Sequence, residues 1–247
     1  MQIVQISDIH IGGLYIQSVF DKVVDEVNEL KPDAIIITGD LTDDGLMFQF
    51  ERARDELNRF LCPNKIVIAG NHDYRHTGYL LFKKFFPTKQ IYEFDDAFIF
   101  TLGTARPDRD EGEVGYRQNL WMEKMLGKYP ETKPKIVAMH HHLIGIPDTG
   151  TDKIIILDAG DTLRTCLQSG VDLVLCGHRH RPWMWNLGRL AIAYAGTTSS
   201  VRFRGFFENC YNIIEVGKDK KPRVDIKIVG KDRFPLSRLV EEYTPFS

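Results

Sequence analysis

The sequence predicts a mixed α/β protein, built as a four-layer αββα sandwich of two mixed β-sheets flanked by helices. Two patterns lead to this prediction. In the first half, short apolar runs alternate with amphipathic stretches, as in parallel strands joined by helices. In the second half, apolar runs follow one another with connections too short for a helix, which favours antiparallel pairing.

The elements of the first half follow the order β-α-β-α-β. Apolar runs at residues 3–6, 34–38 and 66–69 predict buried strands. Across residues 16–30 and 47–61, apolar residues recur at three- and four-residue steps, as on the buried face of a helix. Right-handed crossovers would place the three strands parallel in one sheet.

The later apolar runs predict the remaining strands. Residues 90–94 and 97–101 are joined by Asp95-Asp96 and predict a hairpin. Two buried strands are predicted at 136–139 and 173–176. Short connections indicate largely antiparallel pairing for four further strands, at 183–187, 190–195, 210–216 and 223–229.

The length of 247 residues and an apolar fraction of 43% suit one large domain. No repeat, linker or low-complexity stretch divides the chain. We predict one domain over residues 1–230, followed by a tail over 231–247 that packs on the domain or on a partner.

Charge and composition disfavour several classes of function. The net charge of −2 gives no general attraction to nucleic acid, so nucleic acid is not an expected partner. No apolar run approaches the ~18 residues that span a bilayer, and residue 1 leads directly into a strand, which leaves no room for a signal peptide. These features predict a cytoplasmic protein with no membrane partner, and they leave a homo-oligomer open. The four scattered cysteines form no C-x-x-C pair and predict buried free thiols.

The histidines are confined to a few short polar blocks. All eight lie in four of five such blocks, and four of the five directly follow an apolar run. Open α/β sheets bind ligands at the carboxyl ends of their strands, so the blocks should meet at one site. The blocks are Asp8-Ile9-His10, Gly39-Asp40, Gly70-Asn71-His72-Asp73 with His76, His140-His141-His142, and Gly177-His178-Arg179-His180.

The residue types in these blocks favour metal binding. Side chains two residues apart in an extended segment lie on the same side, so Asp8 and His10 can chelate one ion. The same geometry would let His178 and His180 share an ion. Asp40 has two oxygens and can bridge two metals. Nitrogen and oxygen ligands without thiolates suit manganese, iron, zinc or cobalt, and two ions ~3.5–4 Å apart can clamp a phosphoryl group and activate water.

Taken together, the five blocks resemble the signature of the calcineurin-like metallophosphoesterases, over residues 8–180 of this chain. The resemblance implies a phosphohydrolase with two transition-metal ions, manganese, iron or zinc, and a metal-bound hydroxide as the nucleophile. It implies two ligand sets that share one bridging carboxylate: Asp8, His10, Asp40 and His180 for one ion, and Asp40, Asn71, His140 and His178 for the other.

The resemblance also implies roles for residues that do not hold metal. His72 would contact the phosphate and protonate the leaving oxygen, and Asp73 would orient His72. Within the fourth block, His140 ends the apolar strand and is the predicted ligand, with His141 as the alternative. The predicted substrate contacts are Asn71, His72, His141 and Arg204.

A second, looser resemblance concerns the substrate. Residues 195–204 and 211–215 resemble the class III cyclic nucleotide phosphodiesterase-like branch. This favours a small phosphodiester of the cyclic nucleotide or glycerophosphodiester type. The alternatives are a phosphomonoesterase, a DNA nuclease of the same superfamily, which the weak charge disfavours, and a non-enzymatic scaffold with this fold.

Two loops and four arginines are candidates for contacting the substrate. The loops at 103–119 and 144–154 are rich in Gly, Pro, Asp and Thr. They would either overhang the site and set its specificity or lie on the surface without a role. Guanidinium groups match phosphate oxygens in geometry. Two alternatives are therefore open for four arginines, which would either bind a distal phosphate of the substrate or be solvated at the surface: Arg179, Arg181, Arg202 and Arg204.

Overall fold

The strands and helices follow the order expected for alternating layers. The computed structural model describes residues 1–87, 89–150, 153–217, 219 and 221–241. Its strands are β1 (Gln2–Ile6), β2 (Ala34–Thr38), β3 (Lys65–Ile68), β4 (Ile91–Glu93), β5 (Phe98–Thr101), β6 (Lys135–Ala138), β7 (Leu173–Cys176), β8 (Trp183–Leu187), β9 (Leu190–Tyr194), β10 (Cys210–Val216), β11 (Pro222–Ile228) and β12 (Arg233–Pro235). Its helices are α1 (Gln17–Leu30), α2 (Met47–Leu57), α3 (Gly78–Phe85), α4 (Tyr116–Leu126), α5 (Ala159–Gln168) and α6 (Arg238–Glu241), with a 3₁₀ turn at His72–Tyr74.

The first sheet has the strand order β12-β11-β10-β1-β2-β3. As predicted, β1, β2 and β3 are parallel, since α1 and α2 make the crossovers between them. The strands β10, β11 and β12 are antiparallel to their neighbours. Helical residues such as Phe20 and Phe50 bury their side chains against the outer face of this sheet.

The second sheet has the strand order β4-β5-β6-β7-β9-β8. The hairpin of β4 and β5 is present as predicted. The prediction for β9 is only half right, because β9 pairs antiparallel with β8 but parallel with β7. The hairpin places β8 at the edge of the sheet, so β9 is the strand that lies next to β7. Met122 of α4 and Cys166 of α5 are buried against the outer face.

The main core lies between the two sheets. Ile36 of the first sheet and Ile136 and Leu175 of the second are fully inaccessible there. Two further apolar layers separate each sheet from its own helices. The predicted four-layer sandwich is therefore confirmed. Strands that are buried on both faces account for the continuous apolar runs of the sequence.

The described residues after position 230, where the tail was predicted, contact both sheets. β12 pairs with β11 at the edge of the first sheet, and Leu236 is buried in the layer between the sheets. Helix α6 contacts β8. Residues 242–247 lie outside the described residues. Within the described ranges, no helix combines the length and the apolar character needed to cross a bilayer.

Candidate metal centre

The polar blocks converge where β1, β2, β3, β6 and β7 end. Both sheets therefore contribute to one site, although no strand of one pairs with a strand of the other among the described residues. All the residues predicted as metal ligands are buried at this place: Asp8, His10, Asp40, Asn71, His140, His178 and His180.

The backbone of the blocks is not extended, which corrects the predicted geometry of the Asp-x-His and His-x-His pairs. Each strand ends before its block, and five of the predicted metal ligands have φ values from 52° to 73° in the left-handed region: Asp8, His10, Asp40, His178 and His180. Such a conformation costs of order 1–3 kcal/mol per residue and persists only where the surroundings enforce it. Here the amide groups of Asp8 and His10 donate to the carbonyl oxygens of Gly39 and Asp40, at 3.0 Å each.

The turns direct His178 and His180 into different groups of side chains. We define the first cluster as Asp8, His10, Asp40 and His180, and the second cluster as Asp40, Asn71, His140 and His178. The prediction that His178 and His180 chelate the same ion is therefore wrong, because the left-handed turn replaces the alternation of a strand. Asp8 and His10 do lie in one cluster, as predicted. Their left-handed backbone conformation places them there, and not the alternation of an extended strand.

In the first cluster, two imidazole nitrogens face each other, and their hydrogen-bond partners indicate which nitrogen of each neutral ring carries the proton. Nδ1 of His180 donates to the carbonyl oxygen of Arg202 (2.6 Å), and Nδ1 of His10 donates to Oδ1 of Asp43 (3.0 Å). These acceptors fix the proton on Nδ1 in each neutral ring, so each Nε2 presents a lone pair. The two Nε2 atoms lie 3.0 Å apart, and Oδ1 of Asp8 lies 3.2 Å from that of His180.

The second cluster repeats this arrangement. Nδ1 of His140 donates to the carbonyl oxygen of Thr38 (2.6 Å), and Nε2 of His178 donates to that of Ile154 (3.1 Å). In the neutral rings that metal binding requires, the remaining nitrogens carry lone pairs, and they lie 3.2 Å apart. Oδ1 of Asn71 faces both, at 3.1 Å from His140 and 2.9 Å from His178.

Asp40 lies between the two clusters. Its Oδ1 is 3.4 Å from Nε2 of His140, and its Oδ2 is 3.7 Å from Nε2 of His10. The side chain is almost fully buried. One carboxylate thus directs one oxygen to each cluster, which is the geometry of a bridging ligand.

Several nitrogen and oxygen atoms point into each cluster, so a positive charge there would be stabilised. Burial acts to raise the pKa of Asp40, but His140 and His72 beside it hold that pKa well below the ordinary carboxyl value. Burial acts to lower the pKa of His140, yet the neighbouring Asp40 carboxylate raises it to about 9. Burial, together with the adjacent His141 and His140, lowers the pKa of His178 well below its usual value. Lone pairs of nitrogen and oxygen around a shared carboxylate fit divalent metal ions.

His72 lies beside the first cluster, and its ring is held at both nitrogens. Nδ1 donates to the carbonyl oxygen of Asp43 at 2.7 Å. Nε2 therefore carries the lone pair and accepts a hydrogen bond from Nη1 of Arg202 at 2.9 Å. In this arrangement His72 cannot donate a proton to a substrate until Arg202 moves away and a proton binds at Nε2.

Asp73 does not orient His72, contrary to the expectation from the resemblance. Its Oδ2 accepts from the amide groups of Gly70 (2.9 Å) and Leu41 (3.2 Å), and its Oδ1 accepts from both the amide and the hydroxyl of Thr42 (2.9 Å each). Burial, assisted by Asp40, raises the pKa of Asp73 to about 7. Asp73 thus links Leu41 and Thr42, which follow Asp40, to Gly70, which precedes Asn71. The carbonyl of Asp43 is the group that positions the His72 ring.

Comparison with known sequences identifies the family. Residues 1–182 match the family described as calcineurin-like phosphoesterase. The chain belongs to this family. A probable cyclic nucleotide phosphodiesterase of Synechococcus sp. is 28% identical over 198 residues, covering 76% of each chain. A probable glycerophosphodiester phosphodiesterase of Arcobacter nitrofigilis is 28% identical over 207 residues, covering 75% of each chain. The protein is therefore a metallophosphoesterase, and its substrate is a small phosphoester.

Solved structures share the fold of this metallophosphoesterase at low sequence identity. A purple acid phosphatase from yellow lupin superposes with a TM-score of 0.74 and 12% identity, over 95% of this chain and 53% of the lupin chain. A dimetal phosphatase from Danio rerio superposes with a TM-score of 0.71 and 11% identity, over 96% of this chain and 98% of the other.

The two predicted overhanging loops do reach the metallophosphoesterase site. Asp110 of the first loop accepts from Nδ2 of Asn71 at 3.0 Å, and the carbonyl of Ile154 of the second loop accepts from His178. His141 lies beside the second cluster, with a ring nitrogen within 4.8 Å of ring nitrogens of His140 and His178. Its Nδ1 is bonded to the hydroxyl of Thr104 (2.8 Å) and its Nε2 to the carbonyl of Asp110 (3.2 Å). Both ring nitrogens of His141 thus face protein groups, and His140 is the residue of this block whose ring enters the second cluster.

Arg179 of the fifth block and Arg181, which follows the block, hold a loop and do not line the cleft. Arg179 is buried and bonds to the hydroxyl and the carbonyl of Thr149, with the hydroxyl at 3.2 Å. Arg181 pairs with Asp148 at 3.1 Å and also donates to the carbonyl of Gly205. Both therefore tie the loop at 144–150 to the strand end that carries the metal-centre histidines.

Two residues at the site, Asp43 and Asp110, escaped prediction from the sequence, and the contact of a third, Arg202, with His72 was not predicted. Asp43 supports His10, Asp110 supports Asn71, and Arg202 contacts His72. Asp43 lies three residues after Asp40, so its closeness in sequence is a usable signal. Asp110 and Arg202 come from distant loops, and only the folded chain brings them to the site.

Proposed function

We propose that this metallophosphoesterase hydrolyses a small phosphodiester of the cyclic nucleotide or glycerophosphodiester type at a dinuclear centre. The first cluster would hold one ion and the second cluster the other, with Asp40 as the bridge and manganese, iron or zinc as the metals. The convergence of lone pairs on both sides of Asp40 is the observation that supports this centre most strongly. The names of the two bacterial relatives support a diester as the substrate.

Different residues of the chain would have different roles in the hydrolysis. Two bound divalent ions would supply Lewis acidity toward the phosphoryl group and a lowered pKa for attacking water. Asn71, a neutral ligand, limits the negative charge that an anionic substrate meets. His72 would contact the phosphate and protonate the leaving oxygen once Arg202 has released its Nε2 atom. The backbone carbonyl of Asp43 holds the His72 ring in place for that transfer.

The cleft beside the clusters is small and polar. It measures about 60 Å³ and is lined by Asp40, Asn71, His72, Arg75, Asp110, Ile154, His178, His180, Arg202 and Arg204. This space suits a phosphoryl group, whereas whole ligand pockets are typically several hundred Å³. The organic part of the substrate would therefore lie toward the mouth of the cleft.

The ester preference of the enzyme tests this proposal. After removal of metal and restoration of manganese, iron or zinc, bis-p-nitrophenyl phosphate should be hydrolysed with a kcat/KM at least about tenfold above that of p-nitrophenyl phosphate. Because both esters release the same p-nitrophenol, the ratio reports the preference for a diester. A preference for the monoester would move the assignment to a phosphomonoesterase, and no turnover under any of the three metals would contradict the proposed function.

A further inference from the structure

Arg202 and Arg204 lie outside the part of the chain that matches the family, which ends at residue 182. They nevertheless line the same cleft as the metal clusters. Their segment is bound tightly to the first block. The amide of Ser7 donates to the hydroxyl of Thr198 (3.0 Å), and the hydroxyl of Thr197 donates to the carbonyl of Asp8 (2.7 Å). The arginines are therefore placed by a rigid connection rather than by a free loop.

Arg202 has a side chain with a neutral hydrogen-bond partner and no carboxylate partner among the described residues. Its backbone carbonyl accepts from His180, so its main chain supports the first cluster. Its guanidinium group bonds only to the neutral ring of His72 among the described residues, and no carboxylate of the described chain forms an ion pair with Arg202 or Arg204. Arg75, the third arginine of the cleft, differs because it donates to the carbonyl of Asp43 at 3.0 Å and lies 3.6 Å from Asp110.

The position of Arg202 relates it to the leaving group. If His72 protonates the leaving oxygen, that oxygen would lie at Nε2 of His72, in the place where Nη1 of Arg202 lies at 2.9 Å. Guanidinium forks without a carboxylate partner match phosphate oxygens in geometry and charge. A substrate phosphate at this place would draw Arg202 away from Nε2 of His72 and so free that atom for proton transfer.

We propose that Arg202 and Arg204 bind a second phosphate, carried by the leaving group of the substrate. The substrate would then be a pyrophosphate-linked diester, in which a phosphate oxygen is the leaving atom. This would replace the cyclic nucleotide or glycerophosphodiester type named above and keep the hydrolysis of a small phosphodiester at this centre. In the reaction, water would add to the phosphorus held between the two clusters, and the P–O bond to the leaving phosphate would break with its electron pair going to the leaving oxygen. The proton released by the water would pass to that oxygen, through Nε2 of His72, or to solvent. This inference rests on the proposed function, since it presupposes hydrolysis at the same centre.

Paired substrates and paired variants test the inference. With manganese bound, the wild type should hydrolyse diadenosine pyrophosphate with a kcat/KM about tenfold or more above that for adenosine 3′,5′-cyclic monophosphate. Arg202→Gln and Arg204→Gln should each raise KM for diadenosine pyrophosphate, and should lower its kcat/KM about tenfold more than that for bis-p-nitrophenyl phosphate. Both variants keep the backbone carbonyl that supports His180, so the metal content should remain that of the wild type.

The matched control is Arg164→Gln. Arg164 is an exposed arginine of α5 that pairs with Asp161, and its replacement should change neither activity. Equal losses on both substrates in Arg202→Gln, or a wild-type preference for the cyclic monophosphate, would overturn the second-phosphate subsite while leaving the proposed function intact. Absence of bis-p-nitrophenyl phosphate hydrolysis by the wild type would instead mark the failure of the proposed function itself.

Discussion

Replacing Asp40 with alanine should lower kcat for bis-p-nitrophenyl phosphate by at least ~10³-fold. Asp40 directs one oxygen toward each cluster, so its loss removes the only group that both clusters share among the described residues. The metal content should fall from two ions per chain to one or fewer. The amide of His72 also loses its acceptor, Oδ1 of Asp40 (2.9 Å), at a cost of about 1–3 kcal/mol in the free energy of unfolding.

The comparison that isolates the bridging role is Asp40→Asn. Asparagine retains an oxygen for the His72 amide but loses the charge and one of the two carboxylate oxygens. We expect this variant to fold as the wild type does and still to lose most of its activity. Asp55→Ala, which removes an exposed carboxylate on α2, serves as the control. Half the wild-type rate with two ions bound to Asp40→Asn would contradict the bridging role.

Replacing His72 with alanine should lower turnover of a diester with an alkyl leaving group by roughly 10²–10⁴-fold, the usual range for general acid catalysis. The metal content should stay unchanged, because both ring nitrogens of His72 face groups outside the two clusters. The loss on bis-p-nitrophenyl phosphate should be much smaller, since p-nitrophenolate leaves without a proton. Metal analysis and kcat on the two diesters measure these effects.

The neighbouring His76 provides the control for this variant. Its side chain is exposed, and His76→Ala should leave both rates close to those of the wild type. Loss of a metal ion in His72→Ala would show that His72 is a ligand. An equal loss on both diesters would mean that His72 binds the phosphate but does not protonate the leaving group.

The sequence predicts the layers and the meeting of the polar blocks well, because both follow from local patterns. Apolar runs identify strands that are buried on both faces, and parallel strands bring their carboxyl ends to one edge. The gathering of Asp8, Asp40 and His140 could therefore be expected before any coordinates. Antiparallel pairing for β9 was wrong in part, because the length of a connection does not reveal which strand of a hairpin lies at the edge.

The details that failed depend on backbone angles and on distant contacts. Alternation in a strand cannot describe His178 and His180, because both residues have positive φ. The contact between Arg202 and His72 joins residues 130 positions apart, and no local pattern encodes it. The contacts of Asp73 also depend on how two loops pack against each other. Asp73 accepts four hydrogen bonds from Leu41, Thr42 and Gly70, and it does not make the expected contact with His72.

The dinuclear centre is tested most directly by adding metal stepwise to the metal-free protein while following hydrolysis of bis-p-nitrophenyl phosphate. Two clusters joined by Asp40 predict that activity rises with manganese and reaches its plateau at two equivalents per chain, with the second equivalent contributing most of the rate. Full activity at one equivalent, or activity that does not depend on metal, would contradict a centre in which both clusters act together.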